Sequence, residues 1–268
     1  MLDLLRVRLA QSTATSPFPD RPVPLPERFR GRPVFAGDRC PEGCRDCRSR
    51  APSEVITAGP DGAARLDLGA CLFAPEEAAA CPHGALRFTT EHAMAARSRP
   101  ALVTQTGEPE PLRVLDAAMQ RLFHRSLRLR SVSAGSCNGC ESELIALGNV
   151  VFDMARFGIQ FVASPRHADG MVLTGAVSRN MHHALLQTYQ AIPAPKLVIA
   201  VGACAINGGP FRGSPEVMNG APAELPVDLW IPGCPPHPHT TLQALLELLG
   251  RLERKERGMH GPENTPAP

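Results

Sequence analysis

Short apolar runs alternate with helical segments from about residue 127 to residue 253, and this alternation limits the possible folds of the 268-residue chain more than any other feature. Runs of this length are typical of buried strands. Strands that alternate with helices predict an α/β domain with a parallel sheet. The predicted strands are Leu127–Ser133, Ile159–Ala163, Met171–Thr174, Lys196–Val201 and Val227–Ile231, and the predicted helices are 140–156, 179–191 and 238–253.

Four cysteines follow directly after three of these predicted strands. Cys137 and Cys140 follow the first strand, Cys204 follows the fourth, and Cys234 follows the fifth. Functional groups of parallel α/β sheets gather where the carboxyl ends of the strands meet, so we expect these four side chains to converge. We call this set the C-terminal cysteine site.

The surroundings of these cysteines favour an iron–sulfur cluster. Each lies close to glycine, which lets backbone N–H groups approach the sulfur atoms, and such hydrogen bonds tune the potential of a cluster. Four thiolates also suit tetrahedral zinc, which stays the alternative. Zinc ribbons usually bring two close pairs of cysteines, whereas this chain combines one pair with two distant single residues.

Three motifs in this order carry a resemblance to a known family. They are Cys137-Asn138-Gly139-Cys140, Gly202-Ala203-Cys204-Ala205-Ile206-Asn207-Gly208-Gly209 and Pro232-Gly233-Cys234-Pro235-Pro236. Together they resemble the small electron-transfer subunit of [NiFe] hydrogenases and the B subunit of NADH–quinone oxidoreductases, over roughly residues 125–250. The resemblance implies a flavodoxin-like domain whose C-terminal cysteine site holds a [4Fe–4S] cluster beside a partner's active site.

The first motif separates the two branches of that family. Adjacent cysteines are typical of the quinone-reducing branch, whereas the Cys-x2-Cys spacing resembles the hydrogenase branch, especially its membrane-associated, hydrogenlyase-type members. Glu143 lies where these proteins carry an acid, which implies a proton relay. A first-turn helix carboxylate favoured by the helix dipole is the alternative for Glu143, and it is our interpretation of Glu141.

Residues 38–92 carry the other five cysteines and resemble a degenerate two-cluster ferredoxin, in which several ligand positions no longer carry cysteine. Two-cluster ferredoxins repeat C-x2-C-x2-C-x3-C-P, and the fourth cysteine of each run binds the other cluster. When this pattern is applied here, one of the two clusters would have a single cysteine ligand, Cys71. The other three ligand positions of that cluster are occupied by Ala51, Ala74 and Glu77. It predicts one remaining [4Fe–4S] cluster on the N-terminal cysteine site, with a zinc site or a metal-free docking scaffold as alternatives. That site comprises Cys40, Cys44, Cys47 and Cys81.

Changes in composition divide the chain into five predicted parts. The helix over 1–11 has an apolar face that either packs on its own domain or docks on a partner, and the prolines of 16–33 predict an extended arm. The segment around Pro17-Phe18-Pro19 resembles the segment that precedes the first cysteine in eight-iron ferredoxin-like subunits. The predicted parts are 1–37 (helix and proline-rich arm), 38–92 (degenerate ferredoxin-like domain, small α+β), 93–124 (linker), 125–252 (flavodoxin-like iron–sulfur domain) and 253–268 (disordered tail).

Composition excludes several classes of function. Lys and Arg total 28 against 26 Asp and Glu, which gives no broad basic surface for nucleic acid. No run of about 18 apolar residues predicts a membrane span, and charges interrupt the apolar start, so a cytoplasmic location is expected.

The sequence predicts electron transfer without a catalytic residue on this chain. The expected partners are a large [NiFe]-hydrogenase-like or quinone-reactive subunit and membrane-embedded subunits that hold this chain at the inner face of the membrane. The B subunit of a quinone-reducing complex, a soluble hydrogenase subunit that reduces a diffusible carrier, and a non-redox zinc or scaffold protein are the alternatives.

Overall fold

The computed structural model describes residues 2–11, 13–36, 39, 50–58, 64–105 and 107–253. Its strands, in chain order, are β1 (Pro33–Phe35), β2 (Ile56–Ala58), β3 (Ala64–Asp67), β4 (Leu86–Phe88), β5 (Val103–Thr104), β6 (Leu127–Ser133), β7 (Ile159–Phe161), β8 (Gly170–Thr174), β9 (Leu197–Val201) and β10 (Leu229–Ile231). Its α-helices are α1 (Leu2–Gln11), α2 (Pro75–Ala79), α3 (Ala117–Phe123), α4 (Gly139–Ala146), α5 (Arg179–Ala191), α6 (Ala203–Asn207) and α7 (Pro238–Leu248).

The larger sheet is parallel and confirms the predicted α/β class. Its strands lie in the order β10–β9–β8–β6–β7, and every neighbouring pair is parallel. Counted along the C-terminal part of the chain, this is the order 2-1-3-4-5 of the flavodoxin-like fold. Every residue of β8 and β9 is buried, which explains their unbroken apolar sequences.

Two predicted helices end earlier than their apolar patterns indicate. The helix predicted over 140–156 stops at Ala146, because the Asn149 side chain accepts hydrogen bonds from the N–H groups of Val151 (2.8 Å) and Phe152 (3.1 Å) and begins a turn. The helix predicted over 238–253 stops at Leu248, and Gly250 follows with a φ of +67°. Helix α5 has its predicted bounds.

The N-terminal part contains two small antiparallel sheets, β1–β4 and β2–β3–β5. Its side chains share one hydrophobic core with the C-terminal part, in which Leu68 and Cys71 belong to the same buried cluster as Ala205 and Ile206 of α6. The segment 93–124, predicted as a linker, contains β5 and α3, and its Ala96 pairs with Trp230 of β10. The domain boundaries themselves stay predictions.

The proline-rich arm lies across the C-terminal part of the chain. Phe18 is buried, the N–H of Ser16 donates to the Val151 carbonyl (2.8 Å), and the Arg156 guanidinium donates to the carbonyls of Ser16 and Phe18. In α1, by contrast, Leu9 is 82% exposed, so its apolar side is not packed against the described part of the chain. Among the described residues, the helices are too short or too polar to cross a membrane.

Candidate metal centre

The sheet topology places the four C-terminal cysteines at one edge. Cys137 lies in the loop after β6 and Cys140 in the first turn of α4, while Cys204 lies in α6 directly after β9 and Cys234 follows β10. The last two loops are joined by a hydrogen bond from the Ala203 N–H to the Gly233 carbonyl (2.8 Å). The expected convergence of these loops therefore follows from the parallel strands.

The site is closed on one side and open on the other. Cys140 and Cys204 are buried, with 8% and 7% of their surface exposed, whereas Cys234 is half-buried and Cys137 is exposed. A centre held by these sulfur atoms would therefore be shielded by the sheet and accessible at Cys137.

Burial and neighbouring thiols raise the pKa values of the two buried cysteines of the site, Cys140 and Cys204. Burial, then Cys204 and Glu141, raise the pKa of Cys140 well above its ordinary value, and burial followed by Cys234 and Cys137 raises the pKa of Cys204 to about 11. Thiolates are the form that binds metals. Metal binding at this site must therefore release protons, and the positive charge of the metal must offset the crowding of the thiolates.

Two glycines leave space for the sulfur atoms. A Cβ atom on Gly202, which has a φ of +89°, would lie 2.5 Å from the Sγ of Cys140. A Cβ atom on Gly209, with a φ of +51°, would lie 2.8 Å from the Sγ of Cys204. Both positions therefore require glycine for conformation and for space.

The donor set and these glycines fit an iron–sulfur cluster, for which four cysteine thiolates are the usual ligands. Within the described ranges, no three His, Cys, Asp or Glu side chains form a group that could hold one metal ion. The four cysteines are therefore candidate ligands because of their chemistry and their common sheet edge, although their side chains do not form such a group in this structure.

Glu141 organises the site in a way that the sequence analysis missed. Its Oε1 accepts hydrogen bonds from the hydroxyls of Ser136 (2.6 Å) and Thr174, which ties the first cysteine loop to the end of β8. Burial alone would raise the pKa of Glu141, but hydrogen bonds from Ser136, Thr174 and Ser133 outweigh it and lower the pKa. The sequence contains one signal for this arrangement, because Ser136 and Thr174 place hydroxyl groups at or just after the ends of two predicted strands.

Glu143, the predicted proton relay, is half-buried, and burial raises its pKa. The raised pKa makes this carboxyl easier to protonate than an exposed one. Its relay role stays a prediction.

The N-terminal cysteine site lies mostly outside the described residues. Cys40, Cys44 and Cys47 are not described, whereas Cys81 is buried and its Sγ accepts a hydrogen bond from the Ala85 N–H (3.3 Å).

Three of the four positions assigned to the lost second cluster, Cys71, Ala74 and Glu77, are joined by hydrogen bonds. The Cys71 thiol donates to the Glu77 carboxylate (3.3 Å), which also accepts from the Ala74 N–H (3.1 Å). A carboxylate thus occupies the position where the ferredoxin pattern would place another sulfur atom.

Comparison with known proteins places the C-terminal part in one family. The family described as "NADH ubiquinone oxidoreductase, 20 Kd subunit" matches residues 137–248. Formate hydrogenlyase subunit 7 of Escherichia coli is 43% identical over 56% of this chain and 61% of its own length. This chain therefore spans less than two thirds of that relative.

Two further relatives are matched over more of their own length. The probable membrane-bound hydrogenase subunit mbhJ of Pyrococcus furiosus is 37% identical over 60% of this chain and 96% of its own length. The B subunit of the NADH-quinone oxidoreductase of Phocaeicola vulgatus is 43% identical over 50% of this chain and 68% of its own length. These two relatives, the family match at residues 137–248 and the order of the parallel sheet agree with one another. The chain therefore belongs to the family of the NADH ubiquinone oxidoreductase 20 Kd subunit.

Proposed function

We propose that this chain is the iron–sulfur electron-transfer subunit of a membrane-associated, hydrogenlyase-type [NiFe]-hydrogenase complex. The observation that carries the proposal is the set of four cysteines that three parallel strands bring to one sheet edge. When bound there, a [4Fe–4S] cluster supplies one-electron chemistry. The chain itself supplies the ligands, the burial and the backbone that surround it.

The open side of the C-terminal cysteine site supports a large catalytic subunit as the partner. Cys137 is exposed, and Ile145 (76% exposed) and Val150 (69% exposed) belong to α4 and the turn after it. Apolar side chains exposed close to a redox centre are typical of a surface that a partner covers. The bond-making chemistry would then belong to that partner, because we assign this chain cluster ligands and no catalytic residue.

We propose a second cluster on Cys40, Cys44, Cys47 and Cys81, which would exchange electrons with the first. The described member of this set supports the assignment, since Cys81 belongs to the same buried core as Ala205, the neighbour of Cys204. A chain with both clusters would connect an electron carrier on the N-terminal side to the large subunit. Attachment to the membrane would then come through partner subunits.

The relatives support a second candidate function, that of the B subunit of a quinone-reducing complex. The NADH-quinone oxidoreductase chain of Phocaeicola vulgatus matches this chain with the same 43% identity as formate hydrogenlyase subunit 7. The spacing of Cys137 and Cys140 favours the hydrogenase. Metal analysis of the complex purified with its large subunit distinguishes the two, because nickel is expected only in the hydrogenase.

The test of the cluster assignment is the iron, acid-labile sulfide and zinc content of the full chain, purified without oxygen, with EPR spectra of the reduced protein. We expect about eight iron and eight sulfide per wild-type chain and about four of each in Cys81→Ala. Cys71→Ala is the matched control, because it removes a buried cysteine that is not assigned as a ligand.

Two other results would change the cluster assignment. About four iron in both wild type and Cys81→Ala would mean that the N-terminal part is a docking scaffold without a cluster. Zinc without sulfide would overturn the electron-transfer proposal altogether.

A further inference from the structure

The side chain of Glu141 connects two other parts of the chain. This residue directly follows Cys140 in the first turn of α4, where the helix dipole favours an acid. A dipole role needs no particular partner, yet Oε1 of Glu141 accepts hydrogen bonds from two hydroxyls, those of Ser136 (2.6 Å) and Thr174. The carboxylate therefore joins one residue 5 positions away in the sequence to another that is 33 positions away.

The Ser136 hydroxyl carries this contact to the neighbouring Cys137. Besides donating to Glu141, it accepts a hydrogen bond from the Asn138 N–H (3.1 Å). Asn138 has a φ of +69°, in the left-handed region that few residues other than glycine adopt. The Ser136 hydroxyl therefore helps to hold the turn that carries Cys137 and Cys140.

Thr174 anchors the network to the sheet. It is the last residue of β8, the central strand, and it lies opposite Ser133 of β6 without exposed surface. The backbone supports the same connection, because the Ala134 N–H donates to the Thr174 carbonyl (2.9 Å). Buried residues of central strands belong to the most stable parts of a protein. Glu141 therefore ties the first cysteine loop to a rigid part of the fold.

Cys137 lies where such support matters. It is exposed, whereas Cys140 is buried, so fewer protein atoms surround its side chain. Backbone hydrogen bonds with the end of β8 and the loop after it hold Ala134 and Gly135, and the Ser136 hydroxyl continues these contacts towards Cys137. The conformation of the loop at Cys137 therefore depends on hydrogen bonds of side chains.

We propose that Glu141 is a positioning residue for Cys137: its carboxylate holds Ser136 against Thr174 and thereby keeps this exposed cysteine at the sheet edge. The part that concerns cluster binding rests on the proposed function, since it requires Cys137 to be a ligand. Metal sites need ligands close to their final distances, so a loop that opens more often should release its cluster more quickly. The hydrogen bonds themselves do not require the cluster and can be tested separately.

The first test is hydrogen exchange of the full chain, purified without oxygen and measured by mass spectrometry over residues 134–141. Loss of one hydrogen bond should raise the exchange rate of this segment about fivefold. We expect this rise in Thr174→Val, which removes the hydroxyl and keeps the shape of the side chain. Glu141→Met removes the acceptor of both hydroxyls and should show at least as large a rise. Thr174→Ser keeps the hydroxyl and should stay close to wild type.

Ser142→Ala is the matched control. It removes a hydroxyl that donates to the Asn138 carbonyl (2.9 Å), but the Ser142 N–H donates to the same oxygen (3.1 Å) and remains. We therefore expect its segment 134–141 to exchange as in wild type. A general loss of stability would also raise the exchange rate in β9, so Leu197–Val201 should keep its wild-type rate in every variant.

The second test is the rate at which an iron chelator removes the EPR signal that survives Cys81→Ala. With Thr174→Val added to that variant, we expect the signal to disappear about fivefold faster. With Thr174→Ser added, the rate should stay unchanged. This comparison separates the hydroxyl from the packing of the side chain.

Three results would overturn the inference. Wild-type exchange in Thr174→Val would show that the contact with Glu141 does not hold the loop, and an equal rise in Thr174→Ser would assign the effect to packing. Faster exchange without faster loss of the cluster would overturn the role for Cys137. If Glu141→Met does not fold, the two Thr174 variants decide. A wild-type chain without iron and sulfide would overturn the proposed function, and the exchange rates would then still decide whether Glu141 holds the loop.

Discussion

A methyl group at Gly202 is the smallest change that should break the C-terminal cysteine site. In Gly202→Ala the new Cβ atom would lie 2.5 Å from the Sγ of Cys140, so this sulfur must retreat by about 0.9 Å before ordinary contact at 3.4 Å is reached. Metal sites tolerate about 0.2 Å of error in ligand distance. The displacement is several times larger than this tolerance.

Backbone strain adds to the effect. Gly202 has a φ of 89° and a ψ of 156°, a region that is essentially restricted to glycine, and a side chain there costs about 1–3 kcal/mol. Gly213→Ala separates strain from contact. Gly213 also has a positive φ (+82°), but a Cβ atom there would meet nothing within 4 Å.

The assay is the iron and sulfide content of both variants after anaerobic reconstitution, with EPR spectra of the reduced protein. We expect Gly202→Ala to lose about four iron per chain together with the signal that survives Cys81→Ala, and Gly213→Ala to retain both. Equal iron content and equal spectra in the two variants would refute the assignment of Cys140 as a ligand packed against this glycine.

Three further outcomes are expected. Arg99→Ala leaves the nearly buried carboxylate of Asp67 without its bidentate partner, which donates at 2.6 and 2.8 Å. We expect the free energy of unfolding, measured by urea denaturation, to fall by about 3 kcal/mol. A decrease of less than about 1 kcal/mol would contradict this. Thr174→Val removes a donor to Glu141 and should raise the pKa of this carboxyl, which a pH titration of the protein by NMR measures directly. Burial lowers the pKa of His239 to about 4, below the value of about 6.5 in the unfolded chain, so the unfolded state binds more protons and stability falls as pH drops between these values. His239→Phe should flatten this part of the stability profile, and an unchanged slope would show that the ring does not control it.

The large sheet could be predicted from the sequence because its central strands β8 and β9 are buried on both faces, and because β6 alternates buried apolar residues with polar ones. The predicted bounds of β6 agree with the structure, and those of the other four strands differ from it by one or two residues at their ends. The placement of the C-terminal cysteines needed nothing further, because residues that follow parallel strands share one edge. Both the fold class and this juxtaposition thus depend on local patterns along the chain.

Contacts between distant residues could not be predicted in this way. Glu141 accepts from Thr174, which is 33 residues away, and Glu77 accepts from Ser53, 24 residues away. No periodic pattern in the sequence indicates which distant residues form such hydrogen bonds. The end of α4 at Ala146 was missed for a related reason, because a single side chain, Asn149, replaces the helical hydrogen bonds beyond it.

The N-terminal part of the chain supports the C-terminal part through its packing, apart from any cluster that it holds. Its core residue Leu68 and the backbone of Gly69 pack against α6, the helix that carries Cys204. Without this packing Ile206 would face water, and the position of Cys204 would lose one of its supports. We therefore expect the N-terminal part to support α6, and with it the position of Cys204, whether or not it holds a cluster.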